Sequence, residues 1–157
     1  NVTTGYLYES NETAKREYRK GYINYNGKNI CIICTHLTAN TGTENTLYRA
    51  QQISELINMV SAEEYFIIIA DLNIQDIAEV EPFITAGHKL CNGGYFGWTR
   101  TYNYALDFSE TANTAQDRFF DNIIVSNNFS VEYVEVLDDS YRNTSDHLPL
   151  LAQLKME

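Results

Sequence analysis

The sequence is poor in cations. Eleven Lys and Arg stand against 21 Asp and Glu in 157 residues, a formal net charge of −10. That balance argues against a protein that grips bare nucleic acid by charge alone, because such binding rests on Lys and Arg neutralising phosphates. It does not exclude phosphate chemistry, since carboxylates gathered around a divalent cation are locally less negative than their sum. Long apolar runs are missing too. No stretch approaches the roughly 20 apolar residues of a membrane-spanning helix. No signal-peptide pattern is visible, and the chain begins abruptly at Asn1-Val2-Thr3, so a missing upstream segment is expected. Cysteines are few and odd in number: Cys31, Cys34 and Cys91. No closed disulfide framework follows from three. Cys31 and Cys34 form a C-x-x-C, but they sit in an apolar run that reads as a strand. Three residues apart on a strand, they point to opposite faces. They are read as small hydrophobes, not as a redox or zinc pair.

What is present is an apolar fraction of 44% with twelve tyrosines, enough to bury a core in one domain. Residues 5–8 and 20–25 alternate and suggest strands, and Asn26-Gly27 is a hairpin turn signal. The next strand spans 29–37, followed by a Thr/Asn/Gly loop at 38–43. Leu47, Ala50, Ile53, Leu56, Ile57 and Val60 recur at helical spacing, with Thr41 and Glu44 as a candidate capping box. The run 65–70 is apolar and β-branched, as in a strand covered on both faces. Residues 77–86 predict a short helix ended by Gly87. Residues 92–102 read as a glycine-rich turn entering a strand, and 103–117 as a surface loop. Three further strands are expected at 119–125, 131–137 and 148–154. The whole reads as one α/β unit without repeats or linkers.

Four polar clusters sit at the ends of apolar strands: Thr35-His36-Leu37, Asp71-Leu72-Asn73, Asp121 within RFFDNIIVS, and Ser145-Asp146-His147. Strand ends that meet loops are where α/β sheets collect catalytic groups. Singly, each has a bland reading. His36 fits a satisfied structural histidine, Asp71 a turn residue, and Asp146-His147 a capping turn. Asp121 interrupts an apolar run and is costly to bury unless paired.

The order of these clusters resembles the motif series of the endonuclease/exonuclease/phosphatase superfamily. The matching residues are THL (35–37), ADLN (70–73), FDNIIVS (120–126) and SDHLPL (145–150). Arg49 and Gln52 before the D-x-N strand, EPFITAG (81–87) and GWTRTY (97–102) are softer points of resemblance, which runs from about Gly21 to the end. The sequence departs at Ala70, where the family usually has Gly, and at Asn122, where it usually has Tyr. The larger departure is length. The family carries an upstream asparagine and a metal-binding glutamate; here only 35 residues precede His36, and neither Glu9 nor Glu12 stands in a matching context.

The resemblance implies a deoxyribonuclease-I-like fold: an α/β chain forming the C-terminal part of a four-layer αββα sandwich with mixed, mostly antiparallel sheets. Residues 1–157 would be a single incomplete domain lacking its N-terminal portion. It implies hydrolysis of a phosphate ester with Mg²⁺, or alternatively Mn²⁺, held by Asp146 and the missing glutamate. Asp71 would orient or deprotonate the attacking water, and Asn73 would donate to the phosphoryl group or fix that water. His36 and His147 would donate to non-bridging oxygens, with Asp121 holding His147 charged. Trp98 and Arg100 are candidates for the substrate groove. Expected partners are the missing N-terminal half and a phosphate ester: a nucleic acid, an inositol phosphate or a phospholipid headgroup. Alone, the chain is expected to be nearly inactive and to expose the edge of its last strand.

Two alternatives remain at this point. One is a non-catalytic scaffold of the same fold. The other is a zinc hydrolase using His36, His88 and His147, which lacks the local spacing of zinc ligands. N-x-[ST] matches at Asn1, Asn11, Asn128 and Asn143 are read as chance in an asparagine-rich chain.

Overall fold

A computed structural model describes residues 1–8, 15–102, 118–137 and 145–157. Glu9, Asn11, Glu12, the expected loop 103–117 and Asn143 lie outside the described residues.

Three strands open the chain: β1 (Val2–Leu7), β2 (Arg16–Tyr25) and β3 (Lys28–His36). Asn26 and Gly27 make the expected β2–β3 hairpin turn, both at positive φ (50° and 78°). Asn and Gly tolerate that region, and it matches the twist of the flanking strands. Helix α1 (Thr43–Val60) then crosses over to β4 (Phe66–Asp71), which pairs in parallel with β3. A parallel neighbour requires such a crossover, because a hairpin cannot connect two strands that run the same way. A 3₁₀ turn (Ile77–Val80), a short helix α2 (Glu81–Thr85), β5 (Lys89–Leu90), β6 (Asp121–Val125), β7 (Phe129–Val136) and β8 (Leu150–Met156) complete the order.

The main sheet has the order β1-β2-β3-β4-β6-β5, and β7-β8 forms a second, two-stranded sheet. Alternation along β3 and β4 sorts side chains between two cores. Cys31, Ile33, Phe66 and Ile68 face the helices and pack with Ile53, Leu56 and Phe83. Ile30, Ile32, Ile67 and Val125 face the second sheet and pack with Phe129, Ala152 and Leu154. Full burial of such side chains contributes about 1.5–3 kcal/mol each. Cys31 is buried and Cys34 exposed, as the strand reading of the C-x-x-C requires, and all three cysteines are free thiols.

The inter-sheet core is incomplete on one side. Among the described residues β8 pairs only with β7, and its inward-facing Leu150, Ala152, Leu154 and Met156 are only partly buried. On the facing strand Ile69 is 46% exposed.

Several local expectations are corrected. Helix α1 starts at Thr43 with Gly42 as its cap, and no side chain caps it. Glu44 instead accepts a hydrogen bond from the Tyr48 hydroxyl one turn on. The capping box lies later, with Asp76 and Glu79 closing the 3₁₀ turn reciprocally. Leu47 is 64% exposed while Arg49 is fully buried. The helix therefore turns a polar face inward at its N-terminal end. Residues 77–86 form a 3₁₀ turn and then α2 instead of one helix. The strand expected to begin within residues 92–102 does not form there; Tyr102 makes an isolated antiparallel bridge to His147.

Candidate active site

Three strand ends carry the site. β3 ends at His36, β4 ends at Asp71, and β6 begins at Asp121. Parallel pairing sets His36 opposite Asp71, and antiparallel pairing sets Asp71 opposite Asp121. Residues directly opposite share a face. One rung of the sheet thus presents an imidazole and two carboxylates side by side, on the face turned toward the second sheet. The fourth group comes from the segment before β8. His147 is pinned by its bridge to Tyr102, by Leu148 N–H donating to Thr101 O (2.7 Å), and by its own N–H donating to Ser145 Oγ (3.0 Å).

The His147 Nδ1–H donates to Asp121 Oδ2 at 2.7 Å; the carboxylate can only accept. Nε2 of His147 lies 3.8 Å from Asp71 Oδ2, and Nε2 of His36 lies 3.3 Å from the same oxygen. Asp71 Oδ1 accepts from the Asn73 backbone N–H at 2.9 Å. That bond closes an Asx turn and holds Asn73 at φ 49°. Asn73 Nδ2 donates to Leu37 O at 3.2 Å, tying the exits of β3 and β4 together.

These groups perturb one another. Burial first, and then the Asp121 carboxylate, push the Asp71 carboxyl above the ordinary carboxylate range. The hydrogen bond to Asp121 outweighs burial and lifts His147 above the ordinary imidazole range, helped by the charges of Asp121, Asp71 and Asp146. Both shifts run upward: the Asp71 carboxylate becomes a stronger base, and His147 holds its proton to higher pH as a donor beside it. A histidine whose folded pKa is raised contributes stability below its unfolded pKa, and that contribution is lost as pH rises through the folded value. In the chelated, metal-free protein, NMR titration should place the His147 midpoint above that of a free imidazole, and Asp121→Asn should bring it down. A midpoint that the substitution leaves unmoved contradicts the pairing.

A cavity of about 430 Å³ opens on this rung, lined by His36, Asn73, Asp146 and His147 among others. Asp71 lines it and also a second cavity of about 520 Å³ between the sheets, which Cys34, Ile69, Asp121 and Leu150 share. His36, Asp71, Asn73, Asp121, Asp146 and His147 therefore gather in one place. Trp98 and Arg100 line neither cavity. Trp98 packs on the helix-side core and over Gly93, where an added Cβ would lie 2.8 Å from its ring; Arg100 is exposed. His88 lies against Phe66, ring centroids 4.8 Å apart, and lines a different cavity from His36 and His147.

The sequence reading missed Tyr102, Arg118 and Phe120. Tyr102 and Phe120 contact His147, with ring centroids 5.8 and 6.0 Å away, and the Arg118 guanidinium lies over both of these rings. For Arg118 and Phe120 the signal was the RFFD run, where a cation and two aromatics precede the half-buried Asp121. Asn122, which stands where the resemblance expected tyrosine, is 1% exposed and trades hydrogen bonds with the Asn92 main chain at 3.1 and 2.6 Å. It anchors Asn92 at the start of the 92–99 turn and lines the second cavity, not the first.

The chain has the fold of the endonuclease/exonuclease/phosphatase structures. An endonuclease/exonuclease/phosphatase from Beutenbergia cavernae superposes with a TM-score of 0.79 at 18% identity, over 99% of this chain and 44% of that one. A mannosyl-6-phosphatase from Bacteroides thetaiotaomicron matches with a TM-score of 0.72 at 19% identity, over 99% of this chain and 66% of that one. TDP2 from D. rerio, complexed with a single-strand DNA product, matches at 0.72 and 15%, over 99% and 69%. The chain thus spans less than half of the first and about two thirds of the others. No family model matches it, and no curated protein matches its sequence.

Proposed function

We propose that this chain is the C-terminal part of a divalent-metal-dependent phosphoesterase of the endonuclease/exonuclease/phosphatase superfamily. The observation that carries the reading is the rung itself: Asp71 Oδ2 flanked by two imidazole Nε2 atoms at 3.3 and 3.8 Å, with Asp121 holding the second imidazole at 2.7 Å. A scaffold has no use for a desolvated carboxylate between two donors.

The donor set fits a hard cation, which prefers carboxylate oxygens. Ligand atoms of Asp71, Asp121 and His147 lie within 4.8 Å of one another. His147 Nδ1 and Asp121 Oδ2 are engaged with each other in a hydrogen bond. Asp146 is exposed, lines the same cavity and makes no hydrogen bond or ion pair among the described residues. We assign it as the chain's ligand for Mg²⁺, with Mn²⁺ as the alternative. The matched solved structures extend well beyond the part this chain covers, and a glutamate from the corresponding segment would complete the ligands. This portion alone would then have little activity. A bound divalent cation would supply Lewis acidity toward the phosphoryl oxygens.

The chain's own residues supply the rest. Asp71, with its raised pKa, orients the attacking water and takes its proton, a contribution of about 10²–10⁴-fold. Protonated His147 donates to the non-bridging oxygens, and His36 adds a ring N–H, where fixed donors stabilise developing charge. Asn73 keeps one amide hydrogen and Oδ1 uncommitted among the described residues and orients the water or the phosphoryl group. The substrate is a phosphate ester, of nucleic acid, inositol phosphate or phospholipid-headgroup type. The test is hydrolysis of bis(p-nitrophenyl) phosphate by the full-length protein with Mg²⁺. Turnover should stop on chelation and return when the metal is restored; no turnover, or turnover indifferent to chelator, sinks the reading.

A further inference from the structure

We infer that Arg49 is a positioning residue, whose buried guanidinium straps together from below the two loops that wall the 430 Å³ cavity. The inference rests on reading that cavity as the phosphoryl site. The loop after β3 contributes Ala39, Asn40 and Thr41 to it, next to His36 at the strand end, and the loop after β4 contributes Asn73 and Gln75. Arg49 has no exposed surface and reaches both loops.

Toward the first loop, Nη1 donates to Thr38 O at 3.2 Å and to Asn40 O at 3.0 Å. Toward the second, Nε and Nη2 grip Glu79 at 2.6 and 3.1 Å. Glu79 in turn accepts the backbone N–H groups of Gln75 (2.8 Å) and Asp76 (3.3 Å). An unbroken chain of hydrogen bonds therefore runs from the Asn40 carbonyl to the Gln75 amide. Nη2 also donates to Thr46 Oγ1 at 3.2 Å on its own helix. Gln52, one turn on, adds a second hold on the first loop, accepting from Thr38 N–H at 3.0 Å and donating to Thr38 Oγ1 at 2.8 Å.

Only a guanidinium can do this. Its planar fork binds a carboxylate with two nitrogens and leaves the third for carbonyls, whereas an ammonium offers a single point. The arrangement is not what helix docking requires, because apolar side chains of similar volume often replace a buried ion pair at no loss of stability. What apolar side chains cannot do is fix the place of two polar loops. Asn40 sits at φ 74°, a conformation that few residues hold without such support.

Three variants of the full-length protein test the strap: Arg49→Lys, Glu79→Gln and the double variant Arg49→Met/Glu79→Met. The double variant should keep its circular dichroism and most of its thermal stability. Its Thr38 and Asn73 amides, neither bonded to the pair, should exchange hydrogen at least about tenfold faster. Turnover of bis(p-nitrophenyl) phosphate should fall about 10²-fold, in kcat rather than KM, as for catalytic groups displaced by about 1 Å. Arg49→Lys should show the same pattern with charge retained. A folded double variant that exchanges and turns over like the wild type overturns the proposal. Should the double variant unfold, near-isosteric Glu79→Gln decides on the same two readouts, and wild-type values overturn the strap. A wild-type protein without phosphoesterase activity would instead sink the functional reading, while hydrogen exchange alone would still decide whether the strap exists.

Discussion

Replacing Asp71 with alanine should lower the kcat of the full-length protein about 10³-fold and leave it folded, the loss expected of a general base. Asp71 lies at a strand end, and the backbone bonds that seat it, such as Leu37 N–H to Asp71 O at 2.9 Å, do not involve its side chain. The loss has two sources. One is proton transfer, for which burial and the Asp121 charge have raised the carboxyl above its usual range. The other is the position of Asn73, whose N–H would lose its acceptor. Asp71→Asn separates them, since an amide oxygen can still accept from Asn73 but the group cannot act as a base. Equal losses in the two variants assign the effect to proton transfer. A folded Asp71→Ala protein that keeps its rate contradicts the assignment.

Asp121 and His147 should behave as one unit. On the proposed mechanism His147→Ala removes a donor to the phosphoryl oxygens, and losing such a donor costs about 10²–10³-fold. Asp121→Ala leaves the ring in place but frees its tautomer and lowers its pKa, so a loss of about 10²-fold is expected from disordering such an orienting partner. The double variant should be no slower than His147→Ala, because residues that act through one another are not additive. Fully multiplicative losses would mean that Asp121 has a role of its own at the reacting phosphate, and the pairing described here would not be its function.

Much of the site was legible in the sequence because chemistry interrupts hydrophobicity. Asp71 closes the apolar run FIIIA and Asp121 opens the strand DNIIV, and a charge there needs a reason. Their position opposite one another was not anticipated: the strands expected at 65–70 and 119–125 run over Phe66–Asp71 and Asp121–Val125, and only that register sets the two carboxylates on one rung. Arg49 was not legible as a site element. The helical pattern counted Leu47 and Ala50 as the inward face, and only tertiary contacts with Glu79 and the Thr38 and Asn40 carbonyls turn Arg49 inward instead. Thr41 and Glu44 had the right spacing for a capping box, yet Gly42 became the cap, and the same chemistry appeared at Asp76 and Glu79. Spacing identifies candidates for a cap; the loop that precedes it decides. Trp98 and Arg100 were matched by pattern, but the close approach of Gly93 to the indole makes Trp98 part of the core. Cation and aromatic reach the cavity through Arg118 and Tyr102 instead.

The alignment of β3 with β4 has a consequence for fidelity. Because side chains alternate with period two, sliding β3 by one residue would turn His36 toward the helices and expose Cys31 and Ile33 to the inter-sheet groove. The greasy sorting of the strand thereby serves as an error check on the chemistry. A molecule whose His36–Asp71–Asp121 rung is out of step has also failed to build its core.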